Sequence, residues 1–113
     1  MSNIAKVHYR ELADGSVVIV ELEGFLSQQG IKEKYDSEVY RNYAYPRMFK
    51  NDRNVYIDQT ALGGCTTYYP NSILPRTNFT NMITNMKQCG KNLVDAIRKV
   101  KEAKKNPVEV IEI

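Results

Sequence analysis

Residues 77–105 read TNFTNMITNMKQCGKNLVDAIRKVKEAKK, and this stretch decides the fold of the chain. Its apolar and small residues recur at helical spacing and form one continuous stripe down one face. The stripe comprises Phe79, Met82, Ile83, Met86, Cys89, Gly90, Leu93, Ala96, Ile97, Val100 and Ala103. Thr77 or Asn78 can cap the first turn, whereas Asn106 and Pro107 end the helix behind a lysine-rich last turn. The pattern therefore predicts one long helix over residues 77–105.

The predicted helix is long for a chain of this size. About 29 residues at 1.5 Å each make a rod of roughly 43 Å, whereas a compact chain of this length has a radius of gyration of about 13 Å. Either the helix bends at Gly90, or one end leaves the domain and buries its stripe against a second chain. We expect the second arrangement and hence a homo-oligomer. The alternative is a curved helix that packs wholly on its own sheet.

Composition indicates a single domain covering residues 1–113. Of these residues 42% are hydrophobic, which is enough for one modest core. The chain contains no long apolar run, so we expect no membrane span and a cytoplasmic location, the host cytoplasm if the protein is phage-encoded. Neither His8 nor the pair Cys65 and Cys89 has partners at metal-ligand spacing. We therefore expect no metal, no cofactor and two free thiols.

Charge is unevenly distributed along the chain. Residues 1–40 carry four basic and seven acidic side chains, whereas residues 41–76 carry five and two. Residues 77–105 carry seven basic and two acidic side chains, and residues 106–113 carry two acidic ones. The middle of the chain and the predicted helix are therefore basic, which permits an anionic ligand or partner.

The first part of the chain predicts a β-hairpin. Residues 4–12 and 17–23 are rich in β-branched and aromatic residues, and Asp14 with Gly15 lies between them. An Asp-Gly pair between two such runs is a strong hairpin signal. Residues 25–36 are polar and indicate a connector with one short helical turn before its end.

Residues 39–49, VYRNYAYPRMF, are the most unusual part of the chain. In an extended segment the alternating residues Arg41, Tyr43, Tyr45 and Arg47 would all point to one face. A face of arginine and tyrosine can stack on a nucleobase and hold a phosphate. The alternative is a half-buried strand whose tyrosines pack and whose arginines are solvated. Residues 55–59 are predicted to return as a second strand.

The remaining β-type segments complete an α+β fold. Residues 66–69 form a short strand candidate, and residues 108–113, VEVIEI, are expected to return and pair with the sheet. Addition of this last segment to a sheet edge of another chain is the alternative. We therefore predict a small antiparallel sheet of about five to six strands, one long C-terminal helix and a short terminal strand.

Two classes of binding protein fit these patterns. One is a small-ligand binder whose pockets lie between copies of the chain and hold a nucleotide-like anion. Its candidate ligand-binding residues are Arg41, Tyr43, Tyr45, Arg47, Arg76 and Phe79. Arg76 is included because the start of the predicted helix exposes free amides that attract anions.

The other class is a macromolecular binder that uses the basic helix face against nucleic acid or an acidic protein. That face comprises Lys87, Lys91, Arg98, Lys99, Lys101 and Lys105. An enzyme is disfavoured, because the lone histidine and scattered carboxylates form no acid–base pair and no serine lies in a nucleophile-elbow context.

The order of these features resembles accessory proteins carried by phages and mobile elements. A short sheet and an Arg/Tyr-rich middle precede NFTNMITNMKQCGKNLVDAI, residues 78–97, and a terminal β-type run. This layout is most similar to the phage sponge proteins that counter Thoeris-type immunity. The resemblance implies an oligomer that sequesters cyclic ADP-ribose isomers or cyclic oligonucleotides without cleaving them. It rests on layout and assigns no binding residue by identity.

Phage inhibitors of CRISPR effectors have a similar general appearance. For this chain, such a resemblance implies that the basic face of the long helix contacts the effector. The sequence leaves both interpretations open.

Overall fold

A computed structural model of the protein describes residues 5–51, 53, 55–59 and 63–113. It confirms the α+β class, with two three-stranded antiparallel sheets and one long C-terminal helix. In chain order the elements are β1 (Lys6–Glu11), β2 (Val17–Glu23), α1 (Gln28–Tyr35), α2 (Ser37–Asn42), β3 (Arg47–Lys50), β4 (Tyr56–Gln59), β5 (Cys65–Tyr68), β6 (Ile73–Leu74) and α3 (Arg76–Lys105). Within this part of the chain, no helix is long and apolar enough to cross a membrane.

The predicted hairpin is present as β1 and β2. Gly15 occupies the left-handed region at φ +89°, and the backbone N–H of Ser16 donates to Asp14 Oδ1 at 2.9 Å. Glycine adopts this conformation without the steric cost of a Cβ atom. β6 then pairs with the other edge of β2, giving the sheet order β1-β2-β6.

The second sheet has the order β3-β4-β5 and is also antiparallel. Met48 and Phe49 of β3 are buried, as are Tyr56 and Asp58 of β4. The predicted strands were expected to form a single sheet, but β1 and β2 form one sheet with β6, which was not predicted, and β3, β4 and β5 form another. The six described strands therefore belong to two sheets that share no strand.

The prediction of a strand over residues 39–49 is wrong at its first half. The Asp36 side chain accepts a hydrogen bond from the backbone N–H of Glu38 and begins α2, and only β3 is extended. Val39 is buried on the inner side of α2, so burial of its side chain favours the helix over the predicted strand. The predicted helical turn before Tyr35 is confirmed, and it is longer than predicted, since it forms the eight-residue helix α1.

The long helix is confirmed as α3, with 30 residues. Its N-cap is Pro75 and makes no side-chain cap hydrogen bond, so the predicted capping by Thr77 or Asn78 is wrong. The helix begins earlier than predicted, because the Pro75 carbonyl already accepts the N–H of Phe79 at 3.0 Å. Helix α3 then runs unbroken through Gly90.

Most of the apolar stripe of α3 is covered within one chain, whereas Ile97 is half-buried and Ala103 is exposed. Its buried members are Phe79, Met82, Met86, Cys89, Leu93, Ala96 and Val100. Near the C-terminal end of α3, Lys104 forms ion pairs with Asp36 at 3.1 Å and Glu38 at 3.2 Å, which fastens the helix to α2. Burial of the stripe therefore does not require a second chain, contrary to the expectation from helix length.

The terminal segment does not pair with either sheet. Residues 106–113 have no strand conformation and are all exposed, so the predicted terminal strand is wrong. Lys104 holds the end of α3 beside α2, and beyond Asn106 the segment makes no backbone hydrogen bond to a described strand. The molecule is correspondingly elongated, with extents of 64 × 26 × 26 Å and a radius of gyration of 16.7 Å.

Candidate ligand site

The structure divides the six predicted ligand-binding residues into two groups. Asn92 of α3 donates its side-chain amide to the carbonyls of Ala44 and Pro46, at 3.2 Å each, and so holds the α2–β3 loop. Arg76 lies 16 residues earlier on the same helix, about 24 Å away along its axis. Within one chain, the loop residues and the start of α3 therefore do not line one pocket.

Arg47 is the centre of the first group. Its guanidinium lies over the rings of Tyr45, Tyr40 and Tyr43, at 4.4, 4.9 and 5.8 Å from their centroids. Its Nε donates to the Tyr43 carbonyl at 2.5 Å. No carboxylate among the described residues forms an ion pair with Arg47. Among the described residues, its two terminal guanidinium nitrogens therefore have no hydrogen-bond or ion-pair partner.

Lys32 of α1 adds a second positive charge to this group. Its Nζ lies 4.7 Å from the centroid of the Tyr40 ring, the same ring that Arg47 contacts. We call Lys32, Tyr40, Tyr45 and Arg47 the Arg47 cluster. Ring faces stabilise the two cations but leave their net charge in place. Such a cluster favours binding of an anion.

Sequence reasoning missed Lys32 and Tyr40. The run Asp36-Ser37-Glu38 is a helix-start signal that would have placed Tyr40 on a helix. The position of Lys32 has no such local signal, because it depends on how α1 packs beside α2.

Two other predicted residues of this region have different positions. Tyr43 is completely buried, and its hydroxyl accepts a hydrogen bond from the backbone N–H of Met48 at 3.3 Å. Burial raises the pKa of Tyr43. Tyr43 therefore shapes the loop from inside the core and offers no ring face to a ligand. Arg41 is exposed on α2 and has no ion pair or ring contact with a described residue.

Arg76 and Phe79 form the second group and tie α3 to the hairpin. Arg76 pairs with Glu11 at 3.0 Å and donates from Nε to the Gly15 carbonyl at 3.1 Å. Phe79 is buried, with its ring centroid 4.8 Å from that of Tyr9. The Glu11 carboxylate already neutralises Arg76, and Phe79 faces the core. Both residues therefore have structural roles here.

A buried carboxyl group was not singled out from the sequence. Asp58 is only 2% exposed; its Oδ2 accepts from Asn85 Nδ2 at 2.9 Å, while its Oδ1 has no hydrogen-bond partner among the described residues. The hydroxyl of Tyr56, on the same face of β4, has none among them either. Burial raises the pKa of Asp58 and that of Cys89, the latter to about 12. Strand alternation, which puts Tyr56 and Asp58 on one face, is the signal that could have found this pair.

Metal-binding groups are not found in the described part of the chain. No set of three or more His, Cys, Asp or Glu side chains there could hold a metal ion. His8 instead lies 3.7 Å from Glu23 across β1 and β2. Both cysteines are free, with Cys89 buried and Cys65 exposed, as expected.

The basic face of α3 is exposed throughout. Arg98 pairs with Asp95 at 3.3 Å, one turn earlier on the helix. The lysines of this face form no ion pair with a described residue; they are Lys87, Lys91, Lys99, Lys101 and Lys105. This face therefore presents a row of solvated positive charges.

The chain was also compared with proteins of known family and structure. No protein-family model, no curated protein and no solved structure matches it.

Proposed function

We propose that this protein binds a nucleotide-like anion on the Arg47 cluster and holds it without cleaving it. The observation that carries the proposal is Arg47 itself: half-buried, stacked on tyrosine rings and without a carboxylate partner among the described residues. A guanidinium that is held in place and still has free donors is suited to a phosphate, because little side-chain freedom is lost on binding.

The cluster offers both kinds of contact that a nucleotide needs. The Arg47 guanidinium and the Lys32 ammonium can neutralise phosphate oxygens, and Arg donates two parallel hydrogen bonds. The Tyr45 ring is 43% exposed, so its outer edge or face is available to stack on a base. These features support a ligand that combines a phosphate with a planar ring.

The biological role we propose follows the resemblance to phage sponge proteins. A phage- or mobile-element-type accessory protein of this kind would sequester a cyclic nucleotide signal and so block host immunity. The Arg47 cluster is open to solvent on one chain, and a neighbouring copy in a homo-oligomer would complete the pocket. Oligomer formation would raise affinity by excluding water from the ligand.

Calorimetry with a panel of cyclic ADP-ribose isomers and cyclic oligonucleotides tests the proposal. We expect one ligand class to bind, Arg47→Ala to weaken it at least tenfold and Lys32→Ala to weaken it less. The matched control is Arg53→Ala, which removes an exposed arginine from the turn after β3 and should change affinity less than twofold.

Two control measurements accompany this experiment. Arg47 also holds the Tyr43 carbonyl, so circular dichroism must show that Arg47→Ala keeps the fold; Tyr45→Ala, at an exposed ring, gives a second variant that should also weaken binding. Chromatography of the released ligand should recover it unchanged. The proposal would be refuted if no ligand of the panel bound, or if the Arg47, Lys32 and Tyr45 variants all bound as tightly as the wild type.

A second candidate function is inhibition of a CRISPR effector or binding of nucleic acid through α3. The observation that favours it is the row of lysines on the basic face, none of which pairs with a carboxylate of the described chain. Binding through many lysines should weaken steeply as salt is raised, whereas a single small anion should be affected only slightly. A DNA or RNA duplex that binds the wild type but not Lys87→Glu/Lys91→Glu would favour this function.

A further inference from the structure

A shallow, solvent-open surface, which we call the groove, runs along the outer side of α3 near its C-terminal end. Its lining residues all belong to α3 and are Val94, Ile97, Arg98, Lys101, Glu102 and Lys105. Val94 and Ile97 form a half-buried apolar floor. Among the charged lining residues, Arg98 pairs with Asp95, whereas Lys101 and Lys105 pair with no described carboxylate. The groove therefore combines an apolar strip with a positive rim.

The tail, residues 106–113, has the complementary composition. Its apolar residues are Val108, Val110, Ile111 and Ile113, each more than 80% exposed. Its two charged side chains are Glu109 and Glu112, and neither forms an ion pair with a described residue. Four exposed apolar residues within six positions are unusual for a segment without a binding partner.

The direction of the tail favours a groove on another copy of the chain. Asn106 leaves α3 in an extended conformation, with φ −86° and ψ 147°, and every residue of the tail is exposed, so the tail does not cover the groove of its own chain. The longest dimension of the molecule, 64 Å, exceeds the roughly 45 Å expected of a 30-residue helix. Groove and tail lie at the same end of the molecule, so two copies can exchange tails reciprocally about a two-fold axis.

We infer that the tail of one copy binds the α3 groove of a second copy, and that this exchange forms the homo-oligomer. The apolar tail residues cover Val94 and Ile97, which removes apolar surface of both partners from water. Glu109 and Glu112 lie beside Lys101 and Lys105, and the charges fix the register more than they add affinity. The inference does not depend on the Arg47 cluster, because it concerns assembly in the absence of any ligand.

Solution mass across a concentration series tests this assembly. Sedimentation of the full chain should give a dimer, and Ile111→Asp should raise the dimer dissociation constant at least tenfold. The position is fully solvated in a single chain, so this substitution should leave the fold intact.

Charge reversal then tests the groove. Lys101→Glu/Lys105→Glu should weaken the dimer, Glu109→Lys/Glu112→Lys should do the same, and the fourfold variant should recover association. The matched control is Lys87→Glu/Lys91→Glu, on the same helix and outside the groove, which should leave the mass unchanged.

A carbodiimide that joins lysine to carboxylate distinguishes exchange from self-docking. In a mixture of heavy- and light-isotope chains, the expected cross-links join Lys101 or Lys105 of one chain to Glu109 or Glu112 of the other. Three outcomes would overturn the inference: the mass of one chain at every concentration, cross-links only within one chain, or a dimer that responds to Ile111→Asp but not to charge reversal. The last result would place the tail on a strand edge instead. In the first case, a chain that stays monomeric but still binds the anion would leave the Arg47 cluster as the ligand site while refuting the exchange.

Discussion

Arg47 and Arg76 offer the same chemical group beside aromatic rings, yet the fold uses them differently. The Arg76 guanidinium lies 5.9 Å from the Phe79 ring centroid and pairs with Glu11, whereas Arg47 is stacked on tyrosines and pairs with no described carboxylate. In the first arrangement a carboxylate of the same chain neutralises the guanidinium, and the pair joins α3 to the hairpin. In the second, the terminal guanidinium nitrogens have no partner among the described residues. The counter-ion, more than the aromatic neighbour, thus separates a structural arginine from a candidate binding arginine.

The largest expected effect distinguishes the aromatic partners of the two arginines. Phe79→Ala should lower the free energy of unfolding by about 3–5 kcal/mol, because it removes a buried ring and leaves a cavity. Tyr45→Ala, at an exposed ring, should cost roughly 1 kcal/mol or less. Urea denaturation of both variants measures the difference. Equal losses would mean that Tyr45 is also part of the core.

The next effect separates the two arginines by ligand affinity. Arg47→Ala should weaken binding of the nucleotide by about ten- to a hundredfold, the range expected for a charge-assisted contact. Arg76→Ala should change affinity less than twofold, because its guanidinium is occupied by Glu11 and Gly15. Calorimetry with the ligand found in the panel compares them. A greater loss from Arg76→Ala would reverse the assignment.

Asp58 extends the comparison of the two arginines to a buried carboxyl group that has no cationic partner among the described residues. Burial raises the pKa of this carboxyl above its unfolded value, so the folded state binds its proton more tightly. The group's stabilising contribution is present below the unfolded pKa, about 3.9, and is lost as pH rises through the folded pKa. Asp58→Asn should therefore raise stability at pH 7 by about 1 kcal/mol and by less at pH 4. Thermal unfolding at both pH values checks this, and a variant less stable at pH 7 would contradict it.

The smallest expected effect concerns the Arg76–Glu11 pair as a contribution to stability. Both side chains are about half exposed, at 46% and 58%, so solvent screens their attraction. Glu11→Gln should therefore cost about 0.5 kcal/mol. A double-mutant cycle with Arg76→Ala isolates the coupling energy. A coupling of several kcal/mol would show that the pair is far less screened than its exposure indicates.

Local patterns predicted the parts of the fold that depend on neighbouring residues. The hairpin followed from Asp14 and Gly15, whose turn closes over a few residues, and α3 followed from a stripe that repeats along a single element. Residues 39–49 were misassigned because their tyrosines and arginines alternate like a strand, while the capping contact of Asp36 lies just before them.

The candidate site was less predictable than the fold. Tyr45 and Arg47 were identified from their spacing, and the structure places them together. Tyr43 was identified from the same spacing, but it is buried, as is the other predicted aromatic residue, Phe79, because side-chain direction depends on packing against α3 and the sheets. Lys32 could not have been found, since its contact with Tyr40 joins two helices.

By itself the sequence determined the α+β class, the hairpin and the long helix, because each depends on periodicity or turn chemistry within one short stretch. Only the tertiary structure decided which arginine keeps its charge available, which tyrosine is buried and where the tail emerges. Those outcomes depend on contacts between residues far apart in the chain, such as Arg76 with Glu11 and Asn92 with Pro46. Burial and neutralisation of a charge are properties of such contacts and not of residue type.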